Sequence, residues 1–128
     1  MKSNSTFLRR ALIADAVASA ATGLLMLVAA GRLEQWLALP ADLLRAAGAS
    51  LLPFAAIVAW LGLRETISRA GVWTVIALNA LWVIDSVALL FTSWVQPALL
   101  GYAFVLAQAA AVAVLAELEY VGLRRATA

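Results

Sequence analysis

Residues 72–91 read VWTVIALNALWVIDSVALLF, twenty residues that are almost wholly apolar yet enclose Asn79 and Asp85. At a rise of about 1.5 Å per residue this stretch forms a helix about 30 Å long, the thickness of the hydrocarbon core of a bilayer. Each large apolar residue favours insertion by roughly 0.3 to 0.6 kcal/mol, while one central Asp opposes it by roughly 2.5 to 3.5 kcal/mol. Insertion therefore wins. The acid must then face neighbouring helices and either find a partner or carry a proton.

The rest of the chain repeats this pattern. Of its 128 residues, 66% are hydrophobic and 12% charged, against about 25% charged in an ordinary soluble domain. At about twenty residues per crossing, 128 residues supply four spans and no separate soluble domain. The predicted helices cover about 8–30, 40–63, 71–92 and 97–121, giving a single all-α domain over 1–128: an antiparallel bundle of four transmembrane helices. Residues 18–20 form an Ala-Ser-Ala triplet of the kind signal peptidases cut. The apolar run before it is short, contains Asp15 and continues beyond it, so the first helix is expected to be retained.

The polar residues between the runs set the topology. Lys2, Arg9, Arg10, Arg64, Arg69, Arg124 and Arg125 fall on one face of the four-span arrangement, and Arg32 and Arg45 on the other. The positive-inside rule then places both termini in the cytoplasm and the two Trp-containing connections outside. Trp36, Trp94 and Tyr102 are expected at the outer interface and Phe7, Trp60, Trp73 and Tyr120 at the inner one, leaving Trp82 in mid-membrane. Residues 31–39, GRLEQWLAL, place Leu33, Trp36 and Leu37 at amphipathic spacing and predict a short interfacial segment. Pro40 suits the start of the second helix and Pro53 is expected to kink it. Similar stretches at 13–22 and 83–92 invite a two-hairpin repeat, but their acids fall at different depths.

Composition removes many chemistries. The chain has 0 Cys and 0 His, which excludes disulfides, thiolate nucleophiles, histidine-based triads and most zinc sites. No metal, cofactor or catalytic residue is expected. The net charge of only +2, with basic residues in small groups between apolar runs, argues against nucleic-acid binding. Asp15 and Asp85 fall at different depths and lack the motifs of intramembrane aspartyl proteases, whose acids must face each other.

The remaining polar residues form candidate constellations. Asp15, with Ser19 and Thr22 on its helical face, Asn79 and Glu117 are expected to make a polar cluster in the inner half of the bundle. Such a cluster serves either as a proton or cation site or as hydrogen-bonded glue. Arg45 and Asp85 both fall in the outer half and form a candidate ion pair between the second and third helices, the alternative being that Arg45 pairs with Asp42 or snorkels. Trp82 and Gln108 are candidate ligand or packing contacts. Alanine pairs such as Ala14 with Ala18 and Ala109 with Ala113 offer close helix approaches, within the chain or in a dimer.

Residues 23–48, GLLMLVAAGRLEQWLALPADLLRAAG, resemble the first hairpin of small four-helix bacterial membrane proteins of the DoxX-like kind, with an apolar helix, a Trp/Leu/Pro connection and a Leu-Leu-Arg opening of the second helix. The resemblance implies a small bacterial inner-membrane protein.

These readings favour a non-enzymatic accessory, assembly or scaffold component. It would have the lipid bilayer as its surroundings and a homodimer or larger membrane complex as its setting. One alternative is a small proton-coupled transporter or channel working as a dimer through Asp15 and Asp85. Another is a membrane-embedded binder of a lipid or quinone-like ligand.

Overall fold

The computed structural model describes residues 2–93 and 95–127, so the expected interfacial Trp94 lies outside the described residues. Five helices follow one another: α1 Lys2–Val28, α2 Ala30–Leu37, α3 Ala41–Leu63, α4 Arg69–Leu89 and α5 Leu99–Thr127. No strand occurs among the described residues. Four of the helices, all but α2, are long and apolar enough to cross a membrane. Their outward surface is apolar, with Val28 81%, Leu63 72% and Leu99 87% exposed. In water such a surface would drive association, whereas hydrocarbon solvates it.

Each long helix presents one inward seam. Leu8, Leu12, Ala16, Ser19 and Met26 are buried on α1, and Leu44, Gly48, Leu51, Ala55 and Val58 on α3. These positions, mostly three or four residues apart, put one face of each helix against its neighbours. Pro53 lies on the exposed side of α3, and the helix continues through it. On that side the freed carbonyl and missing donor do not disturb the packed seam.

The expected interfacial segment is the separate helix α2. Leu33 and Leu37 are buried while Trp36 is 56% exposed. The chain leaves α2 through Ala38, whose φ of 56° puts it in the left-handed region. The Glu34 side chain accepts from the Ala41 backbone N–H at 2.8 Å, which caps α3 from α2. The Ala98 N–H donates to the Leu37 carbonyl at 3.0 Å and ties α5 to the same corner.

The helices form an arc in the order α3, α1, α5, α4, with extensive packing between each neighbouring pair. The α3 and α4 helices, joined by a short connection, barely touch. The arc is held tightly at its α1/α3 side because Gly23 and Gly48 face each other. It stays open between α3 and α4, which makes a lateral cleft.

Two apolar layers fill the interior. Leu8, Leu12, Val58, Val72 and Leu123 belong to the first, and Met26, Leu33, Leu44, Leu51 and Val105 to the second. The first layer lies at a basic end. There Arg9 donates to the carbonyl oxygens of Gly62, Arg64 and Glu65, and three more arginines stack on aromatic rings. Arg64 lies 4.5 Å from the Trp60 centroid, Arg125 4.7 Å from Phe7, and Arg124 5.8 Å from Tyr120. The aromatic groups expected together at one interface, Phe7, Trp60, Trp73 and Tyr120, are therefore together, with Trp73 and Tyr120 in edge contact at 5.8 Å.

Candidate functional site

The polar residues inside the spans fall into two groups, one enclosed and one facing the cleft. The enclosed group lies between the apolar layers. Asp15 is on the buried seam of α1, one turn before Ser19, and the Ser19 hydroxyl donates to Asp15 Oδ1 at 3.1 Å. Asn79 is on the buried seam of α4 with Val72 and Val75. Its amide nitrogen donates to Asp15 Oδ2 at 2.8 Å and to Glu119 Oε1 at 2.9 Å. One amide thus links α1, α4 and α5, and all three residues are at most 3% exposed.

The sequence reading places Glu117 in this cluster, and the structure corrects it to Glu119. Glu117 is exposed, while Glu119 is fully buried. Two residues along a helix rotate a side chain by about 200°, so only one of the pair can face inward. Val105, Ala109 and Leu123 are buried on α5, and steps of three and four through 112, 116 and 119 join them. That spacing is the signal that identifies Glu119 in the sequence.

The expected Arg45–Asp85 ion pair does not form. Arg45 Nη1 is 3.2 Å from Asp42 Oδ1, one turn away on the same exposed surface. Asp85 is exposed and has no hydrogen bond or ion pair among the described residues. The reason is the splay of α3 from α4: the helix carrying Arg45 does not come within reach of the helix carrying Asp85. The expectation that Asp85 faces a neighbouring helix is corrected in the same way, since it faces the cleft.

The cleft contains two cavities that share Trp82 and Asp85. The larger, about 420 Å³, is lined mainly by apolar groups such as Met26, Leu43, Leu89 and Phe104, with Ser86 and Gln108 on its wall. The smaller, about 270 Å³, reaches Ser19 and Asn79, so the enclosed group borders the cleft. A third cavity, toward the basic end between Trp60 and Thr74, extends the opening along the helices.

Trp82 and Gln108 are joined, as their similar depth allows. The indole N–H donates to Gln108 Oε1 at 2.6 Å. Gln108 Nε2 donates to Ser86 Oγ at 3.1 Å and to the Val105 carbonyl at 3.0 Å. Both amide hydrogens are engaged, which fixes the edge of Trp82 and leaves its ring as cleft wall. The polar groups that remain open to an occupant are the Asp85 carboxylate, an acceptor when ionised, and the Ser86 hydroxyl. No group of His, Cys, Asp and Glu with metal-binding geometry occurs among the described residues. Comparison with known protein families, with curated proteins and with solved structures finds no match for this chain.

Proposed function

We propose that the chain is a membrane-embedded binder of a lipid-like amphiphile, with the apolar body of the ligand in the cleft between α3 and α4 and its head at Asp85. The single observation that carries this reading is the unpartnered Asp85 on the wall of two connected apolar cavities. Ligand sites combine an apolar lining with a few convergent polar groups, and 420 Å³ falls within the usual range of about 300–1,000 Å³. An open carboxylate accepts hydrogen bonds and attracts positive charge. The matching head is therefore a hydroxyl or an ammonium, and a head made only of acceptors, as in an oxidised quinone, is disfavoured. The grouping of arginines at the basic end supports a bacterial inner membrane with that end toward the cytoplasm.

The test uses the protein in lipid nanodiscs with brominated long-chain amine, alcohol and carboxylate probes, read by tryptophan fluorescence. The amine and the alcohol are expected to quench a component that Trp82→Phe removes, and the carboxylate is expected not to. Asp85→Leu should weaken amine binding by about tenfold or more, the loss of one charge-assisted hydrogen bond. Equal quenching by all three probes, indifferent to Asp85, would overturn the reading.

A scaffold whose polar residues specify packing is the second reading, favoured by one observation. Every hydrogen that the Gln108 amide can donate is used between α4 and its own helix. A scaffold would show none of the head-group selectivity just described.

A further inference from the structure

The enclosed cluster contains two carboxylates, four oxygens in all, and the side-chain donors that reach them supply three hydrogens. The Ser19 hydroxyl serves Asp15 Oδ1, and the two Asn79 amide hydrogens serve Asp15 Oδ2 and Glu119 Oε1. The fourth oxygen, Glu119 Oε2, is buried and has no hydrogen-bond partner among the described residues. Asp15 Oδ2 and Glu119 Oε1 accept from the same Asn79 nitrogen, at 2.8 and 2.9 Å, which holds the two carboxylates side by side. Two acceptors held side by side with no hydrogen between them repel, and an orphaned buried oxygen forfeits the hydrogen bonds that water would give it.

From this geometry we infer that Asp15 and Glu119 form a binding site for a single proton, held on Glu119 Oε2 and donated to the Asp15 carboxylate. The proton supplies the missing fourth hydrogen bond and removes one of two buried negative charges. The groups facing the pair do neither. From α4 comes neutral Asn79, and the α3 seam opposite, Leu51, Ala55 and Val58, is apolar. The arginines of the basic end are placed on other groups, Arg9 on backbone carbonyls and Arg64, Arg124 and Arg125 on aromatic rings. Of the other acids within the spans, Asp42 and Glu117 are exposed, and Asp85 lines the smaller cavity with Asn79. A metal cation fits poorly, because hard cations require six or more oxygen ligands and three of the four here already accept hydrogen bonds.

Ser19 and Asn79 are both wall of the smaller cavity. The proton is therefore one side chain away from the cleft, and the Ser19 hydroxyl, bonded to Asp15, is the group that would relay it, accepting one proton as it gives up another.

Infrared spectroscopy of the wild-type protein in nanodiscs tests the site directly. At neutral pH the spectrum should contain the carbonyl band of one protonated carboxylic acid per chain, and ¹³C labelling of glutamate should shift it. Glu119→Gln should abolish the band, whereas Asp85→Asn should leave it in place. The labelling experiment needs no variant, so it decides the matter even where Glu119→Gln does not fold. A spectrum without a glutamate-shifted band at neutral pH, or a band that survives Glu119→Gln, overturns the proposal. Loss of the band on adding sodium or potassium also overturns it, in favour of a cation site.

Discussion

Gly48 faces Gly23 across the α1/α3 crossing so closely that a Cβ on Gly48 would lie 2.6 Å from the Gly23 carbonyl oxygen. The reciprocal Cβ on Gly23 would lie 2.9 Å from the Gly48 carbonyl. Both obstacles are backbone, which cannot rotate away as a side chain can. Gly48→Ala must therefore push the two helices apart, at a cost of about 1–3 kcal/mol typical of overpacking. Thermal unfolding in detergent should show the loss. Gly31→Ala, with no neighbour within 4 Å, should not lower the midpoint.

The Arg45–Asp42 pair is exposed on both sides, and such pairs contribute about 0.2–1 kcal/mol. Arg45→Leu is therefore expected to shift stability by less than about 1 kcal/mol. Because Arg45 does not reach Asp85, the effects of Arg45→Leu and Asp85→Asn should add to within about 0.5 kcal/mol. A double-mutant cycle measures this. A larger coupling would show that α3 and α4 close on each other in the membrane.

Asn79→Leu removes both donors from the enclosed acids and leaves Asp15 and Glu119 without that satisfaction. Stripping a hydrogen bond from a buried charged group costs about 1–3 kcal/mol, so a loss at the upper end of that range is expected. The loss should be similar in a Glu119→Gln background, because one acid is already neutral in the wild type and Asn79 serves the Asp15 carboxylate in both. By contrast Glu117→Gln, on the exposed side of α5, should stay within about 0.5 kcal/mol of the wild type. Equilibrium unfolding of the four variants separates the two glutamates that the sequence presents side by side.

Much of the bundle is legible in the sequence because hydrocarbon imposes length and polarity on each span. Those constraints locate the four long helices, the separate amphipathic segment at Leu33 and Leu37, and the inward direction of Asp15 and Asn79. They do not choose between Glu117 and Glu119, because the two share a depth and only the phase of the buried seam separates them. Ending the fourth helix near residue 121 also put Glu119 at its margin, whereas α5 runs on to Thr127. Arg45 and Asp85 were matched in depth, and consecutive antiparallel helices are usually neighbours. Here the glycine contact holds α3 on α1 instead, so the hairpin between α3 and α4 opens. The close approaches were sought at alanines, yet Ala14 and Ala18 face outward. At the α1/α3 crossing only glycine permits backbone contact.

Gln108 links three positions, and its replacement separates packing from binding. Gln108→Leu leaves the Trp82 N–H and the Ser86 hydroxyl without their partner inside a span. Hydrogen bonds between membrane helices contribute about 0.6 kcal/mol on average and up to about 1.7. The expected loss is therefore about 1–2 kcal/mol, read from unfolding in detergent. Trp82→Phe keeps an aromatic wall and removes only one donor, so its cost should be about half as large. The indole freed in Gln108→Leu can rotate into the cleft, because Trp82 already lines the larger cavity. Amphiphile affinity should then fall along with stability in Gln108→Leu. In Trp82→Phe, where a ring still lines the wall, affinity for an unlabelled long-chain amine should change less than threefold in equilibrium dialysis. A Trp82→Phe variant that binds the amine no better than Gln108→Leu would mean that the indole N–H itself, and not the ring, recognises the ligand.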